Sequence, residues 1–314
     1  MHPAFSIIFF TTAAGAGYGL LALAGLLAPF GALPDSRWFA VVVVVLGLGL
    51  ASAGLLSSTL HLGHPERAWR AISQWRSSWL AREGVAALLT YLPALAFAIA
   101  WVLLGDTGVA AGVSGWVLAV GAVVTVGCTA MIYASLKPVH QWHNRWVLPN
   151  YLALAAMTGA VLLNALLHLW GAAVPGFDVA TAVLIGVALV LKEAYWAFVA
   201  EQPSPSTPES ATGLGRLGRV GFLDAPHTEE NYLLKEMGFH IGRKHSARLR
   251  TIARVLGFGV PLAATVAALL LPVGSAVAAV VAAASVALGI VLERWLFFAE
   301  ARHSVQLYYG AERV

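Results

Sequence analysis

The chain has 314 residues, 59% of them hydrophobic and 11% charged, with a formal net charge of +4 and a mean hydropathy of +0.78. A soluble domain carries roughly 25% charged residues. With less than half of that, a soluble enzyme, a disordered chain and, despite the basic balance, a nucleic-acid binder are excluded, and a membrane protein with several spans remains.

A helical span takes about 20 apolar residues. Eight such stretches follow one another, at about 5–28, 39–60, 84–104, 112–136, 150–170, 178–199, 252–271 and 275–298. The predicted fold class is therefore all-α: a polytopic integral membrane protein, an up-down bundle of eight transmembrane helices forming a single membrane domain over 1–314. Gly and Ala recur in every stretch, which suits close helix approach in lipid. No Lys or Arg precedes Phe5, so the first stretch is expected to stay as a helix rather than leave as a cleaved signal. The run Val41–Val45 sits inside a longer apolar stretch and reads as membrane helix, not buried strand.

Segment 61–83 spaces Trp69, Ile72, Trp75, Trp79 and Leu80 among arginines. An apolar face opposite a basic one predicts an interfacial segment at headgroup level. The stretch Glu201–Pro208 is rich in Pro and Ser and reads as flexible. The rest of 201–250 reads as a cytoplasmic docking loop with a short helix near Glu229–Met237, too small for a core of its own. Pro272, Val273 and Gly274 form a turn between the last two spans. The lone cysteine, Cys128, leaves no internal disulfide and no four-cysteine iron–sulfur or zinc site in this chain.

Charge placement predicts orientation. With eight spans, both termini and the loops after the second, fourth and sixth spans share one side. Seventeen of the nineteen Lys and Arg residues lie there; Lys192 is within a span and Arg37 alone is on the other side. The positive-inside rule puts that side, with both termini, in the cytoplasm.

Ionisable groups inside lipid are costly, so their positions are informative. His61 ends the second span and Glu83 begins the third. Lys192 and Glu193 sit about two turns from the cytoplasmic end of the sixth, and Glu293 and Arg294 sit near the same end of the eighth. All six fall towards one membrane face, where they would frame a polar pocket. A quinone suits such a pocket: its two carbonyls take hydrogen bonds and exchange protons, which a histidine and a carboxylate provide. Trp79, Tyr91 and Tyr133 would supply apolar walls. Taken singly, Lys192 could snorkel, Glu293 and Arg294 could form an interface ion pair, and His61 could cap a helix. Arg67 and Arg294 would orient Glu83 or Glu293, or bind lipid phosphate.

The stretch Ser58-Thr-Leu-His-Leu-Gly-His-Pro-Glu-Arg-Ala, followed by Leu80-Ala-Arg-Glu-Gly, resembles the membrane anchor subunits of dimethyl sulfoxide reductase and its relatives. So do the opening His2-Pro-Ala-Phe-Ser-Ile-Ile-Phe-Phe-Thr-Thr, the stretch Asn231-Tyr-Leu-Leu-Lys-Glu-Met-Gly-Phe and the stretch Glu293-Arg-Trp-Leu-Phe-Phe-Ala-Glu-Ala. The resemblance implies an anchor in a bacterial cytoplasmic (inner) membrane. It would hold a four-cluster iron–sulfur subunit and a molybdopterin catalytic subunit, with membrane lipid around it and no nucleic-acid partner. It would exchange electrons between quinone and the nearest [4Fe-4S] cluster, and hold neither haem nor cluster itself. The family's quinol site uses the histidine of the His-Leu-Gly motif and the glutamate after the interfacial segment, which correspond here to His61 and Glu83. The family is not uniform in sidedness. The basic count favours the branch whose catalytic subunits face the cytoplasm, similar to the anchor of quinone-linked sulfite dehydrogenase.

Other readings make different demands. A haem-bearing cytochrome b anchor needs axial histidine pairs; only His61 and His168 fall at span ends, on opposite sides, although His61 with His140 or His143 could hold one haem. A secondary transporter usually shows repeats and broken helices at the midplane, and no repeat is evident. A purely structural anchor predicts that loss of His61 leaves quinone-linked turnover intact.

Overall fold

The structure, a computed structural model, describes residues 4–61, 64–201, 206–224, 244–271, 273–309 and 311. The helix expected near Glu229–Met237 lies outside these residues. Among the described residues every regular element is helical. Eight helices are long and apolar enough to cross a membrane: α1 Phe5–Phe30, α2 Arg37–Leu60, α3 Trp79–Leu103, α4 Val109–Ala134, α5 Val147–Leu169, α6 Pro175–Glu201, α7 Ser246–Leu270 and α8 Ser275–Ala299. They overlap all eight stretches predicted from hydropathy; most start two to six residues earlier, and several end one or two residues sooner.

Two starts have local causes. Helix α3 begins at Trp79 rather than at residue 84, because the Ser78 hydroxyl accepts from the Ala81 amide and caps the first turn there. Trp79 and Glu83 therefore belong to the membrane helix, not to the interfacial segment. Helix α7 begins at Ser246, six residues before the predicted 252, in a basic turn. It passes through a π turn at Val255–Gly259. That turn precedes Pro261, whose ring would clash with the carbonyl four residues back in a regular helix.

Helices α1 and α5 form the centre. In their most apolar windows 61% and 72% of residues are buried, against 28–50% in the other six. Helices α2 and α4 flank α1, and α3 lies mainly on α4; α6 and α8 flank α5, and α7 lies on α6 and α8. The bundle is thus two four-helix halves joined where α1 and α4 meet α5 and α8. Between helices in lipid the drive is close packing rather than hydrophobic transfer, and the seam shows it. A Cβ at Gly19 of α1 would overlap the Ala155 carbonyl of α5, and one at Gly159 of α5 would overlap the Gly19 backbone.

The segment between α2 and α3 is a 3₁₀ helix, Pro65–Gln74, followed by a turn. Trp69 and Trp75 are exposed, and Arg70 and Arg76 lie over their rings at 5.5 and 5.7 Å. On the same side of the bundle, Trp142 donates its indole N–H to the Phe297 carbonyl at 2.9 Å. The 3₁₀ turn Ser304–Tyr309 returns to the loop after α6, where the Tyr308 hydroxyl donates to the Ala211 carbonyl at 2.8 Å.

Candidate functional site

Glu83 lies one turn inside α3 and is only 4% exposed. Its position on the inner face follows from helical spacing: Ala87, Thr90 and Ala94 continue the same buried stripe. The Thr129 hydroxyl of α4 donates to the Glu83 carboxylate. One turn deeper, Thr90 and Thr125 pair their hydroxyls at 3.2 Å. No salt bridge to Glu83 occurs among the described residues. His61 ends the 3₁₀ turn Ser58–His61 that closes α2, and its side chain lies outside the described residues.

The other face of α3 makes a groove with α4. It has a volume of about 490 Å³, within the 300–1,000 Å³ typical of small-ligand sites. Trp75 and Arg82 stand at one end; Leu89, Pro93, Val117 and Val124 line its length, and Cys128 closes one wall. Arg82 is held in place by the carbonyls of Trp75 at 3.0 Å and Arg76 at 2.7 Å, and it lies 4.3 Å over the Trp79 ring. Trp79 thus supports Arg82 and does not line the groove. Tyr91 pairs with Ser52 of α2 at 2.6 Å. Tyr133 belongs to a buried ring cluster with Trp142, Tyr151, Phe297 and Phe298. Of these aromatic residues only Trp75 lines the groove; Trp79, Tyr91 and Tyr133 do not.

Lys192, Glu293 and Arg294 form a second site in the other half of the bundle. They are 1%, 0% and 3% exposed. Lys192 of α6 pairs with Glu293 of α8, and Arg294 Nε donates to the other Glu293 oxygen at 2.6 Å. Aromatic faces complete the cage: Lys192 Nζ is 4.1 Å from the Tyr195 ring centroid, and the Arg294 guanidinium is 4.2 Å from that of Tyr151. Lys192 and Arg294 thus share the one Glu293 carboxylate. Lys192 does not snorkel, and Glu293 and Arg294 do not form an isolated interface pair. Glu193 faces outward and pairs with Arg254 through both oxygens, at 2.6 and 2.9 Å.

Arg67 does not join either site. Its side chain is 58% exposed and lies 3.6 Å from Glu66. His143 contacts the Ala134 carbonyl at 2.6 Å, and His140 lies against Phe198. Among the described residues no group of three or more His, Cys, Asp or Glu could hold a metal ion. At the opposite end of the bundle His168 and Asn164 both meet one Asp178 oxygen at 2.8 Å, all three buried. That contact ties α5 to α6. Sequence reading placed His168 at a span end and did not connect it to Asn164 or Asp178.

The sequence model of the family described as DMSO reductase anchor subunit (DmsC) matches residues 1–200, well over half of the chain and all of α1 to α5. The chain belongs to this family. The anchor is also 35% identical to a sulfite dehydrogenase subunit of Allochromatium vinosum over 329 aligned positions, covering 98% of this chain and 99% of that protein. It is therefore a multi-pass membrane anchor of a molybdoenzyme, and membership implies catalytic and iron–sulfur partner subunits.

Proposed function

We propose that this anchor is the quinone-reactive subunit of a sulfite:quinone oxidoreductase whose molybdopterin and four-cluster iron–sulfur subunits dock on the cytoplasmic side of a bacterial inner membrane. The observation that carries the reading is the pairing of Glu83, buried with a hydroxyl partner, with a lipid-facing groove on the same two helices. The groove suits an isoprenoid tail, with Arg82 and Trp75 at its mouth. Glu83, on the inner face of α3 behind the groove rather than in its lining, and His61 would supply protons bound for the quinone oxygens. Sulfite at molybdenum would release two electrons and two protons as it takes up water to become sulfate. The electrons would cross the partner's clusters to quinone here, which becomes quinol by taking two protons from the cytoplasmic side.

Sidedness rests on the basic residues, seventeen of nineteen towards one face. Sulfite rests on the name of the Allochromatium vinosum relative and on that sidedness. Residues 201–250 and the exposed basic segment Pro65–Gln74 would form the docking surface, and Lys192 and Arg294 would set the charge behind the quinone site. A second reading draws on the family description itself: an anchor that oxidises menaquinol for a dimethyl sulfoxide or N-oxide reductase.

The test is the purified complex carrying His61→Ala or Glu83→Gln. Quinone-linked turnover is expected to fall by about 10²–10⁴-fold, the usual span of general acid–base effects, with assembly and artificial-acceptor activity unchanged. Full quinone turnover in both variants overturns the site. Parallel assays with sulfite and with dimethyl sulfoxide separate the two substrate readings.

A further inference from the structure

Three buried polar groups surround one small cavity. They are the hydroxyl of Tyr18 on α1, which has no hydrogen-bond partner among the described residues, and the Tyr151 hydroxyl on α5 and the Arg294 guanidinium on α8, which interact with each other. All three residues are more than nine-tenths buried. The cavity has a volume of about 20 Å³ and lies between α1, α4, α5 and α8, where the two halves of the bundle meet. Thr129 lines it too, while turning its hydroxyl proton to Glu83. The remaining wall is largely apolar, including Val126, Leu154 and Ile290.

A site takes a water molecule when it offers roughly 10–15 Å³ or more and two to four polar partners. This one meets both conditions. A buried polar group left unpaired costs about 1–3 kcal/mol, so the Tyr18 hydroxyl beside this void calls for an occupant. We propose that this cavity binds a water molecule that joins Thr129 and Glu83 to Arg294, making one hydrogen-bond network of the two halves.

The donors fix its orientation. The guanidinium N–H and one phenol give protons to the water's lone pairs, and its own protons go to the Thr129 oxygen and the second phenol. The Thr129 hydroxyl has one proton and two acceptors in reach, Glu83 and the Thr125 carbonyl at 3.1 Å. With its oxygen occupied by the water, that hydroxyl turns to Glu83 when the carboxyl is ionised and to Thr125 when it is protonated. Tyr18, Tyr151 and Arg294 are positioning residues. Their role in turnover rests on the quinone reading above, whereas the water site does not.

The test is radiolytic hydroxyl-radical labelling of the intact complex, which modifies side chains next to bound water. Tyr18 and Tyr151 are expected to be labelled several-fold faster than Tyr133 and Tyr195, which are also buried but do not line this cavity. The double variant Tyr18→Phe, Tyr151→Phe removes two partners and should bring labelling of the two phenylalanines down to that of other buried phenylalanines such as Phe97. Equal labelling of all four tyrosines in the unaltered complex overturns the water site. If labelling is as expected but Glu83→Gln keeps full quinone turnover, the water site stands and the quinone reading fails. If Glu83→Gln abolishes turnover and the four tyrosines label alike, the reverse holds.

Discussion

Thr129 of α4 and Glu83 of α3 meet through a side-chain hydrogen bond inside the membrane bundle, with Glu83 4% exposed. The bond fixes the carboxylate on the inner face of α3, away from the groove that faces lipid. Thr129→Val removes the hydroxyl and keeps the shape, so quinone-linked turnover is expected to fall about tenfold, the factor that corresponds to losing roughly 1.4 kcal/mol of favourable interaction. Thr129→Ser should recover most of it. Steady-state kinetics with a soluble quinone and with an artificial acceptor reads the difference, and unchanged turnover in the valine variant removes Thr129 from the site.

The groove between α3 and α4 predicts a different kinetic signature. Val124 lines it and is half exposed. Val124→Trp fills volume without touching Glu83, so KM for quinone should rise several-fold while artificial-acceptor turnover stays constant. An unchanged KM would place the quinone tail elsewhere.

Lys192, Glu293 and Arg294 predict a stability effect. Lys192→Met leaves the Glu293–Arg294 contact and deletes the other ion pair, whose members are 1% and 0% exposed. Breaking a buried pair from one side costs about 3–5 kcal/mol. The variant is expected to lower the thermal transition of the detergent-solubilised complex by several degrees and to reduce the amount assembled. A transition within a degree of the unaltered complex would show that Glu293 needs only Arg294.

The C-terminal turn predicts a pH dependence. His303 lies outside the spans, and partial burial holds its imidazole below the ordinary value of 6.5. Its Nδ1 accepts from the Val305 amide at 3.0 Å, which requires the neutral ring. A histidine depressed in the folded state favours folding above the unfolded value, and that contribution is lost as pH falls through it. The turn Ser304–Tyr309 should therefore be well protected from hydrogen exchange near pH 7.5 and less protected near about pH 5.5. His303→Asn should flatten the difference.

Hydropathy made the eight spans legible, because a membrane leaves a backbone segment little choice but a helix of fixed length. The start of α3 needed one more signal, the Ser78 cap. The one-sided placement of His61, Glu83, Lys192, Glu193, Glu293 and Arg294 was also visible. How they divide was not. Adjacent residues on a helix point about 100° apart, so Lys192 faces inward to Glu293 while Glu193 faces out to Arg254. Thr129, Tyr18 and Tyr151 carry no charge and no motif, so no local pattern marked them out; only the packing of four helices brings them to Glu83 and Arg294. Arg82 was visible in the motif, but its role at the groove mouth depends on the turn that holds it to Trp75.

The buried cluster also bears on how the chain is made. Lys192 emerges from the ribosome on α6, about a hundred residues before Glu293 on α8. A lysine near the end of a single inserted helix costs less than the roughly 2.5–3.5 kcal/mol it would at the centre, but its neutralising partner does not yet exist. A nascent chain ending after α6 therefore carries an unmatched cation, which the arrival of α8 removes. Closure of the Lys192–Glu293 pair is thus a late step of assembly, open to the chain only once α8 has joined the bundle.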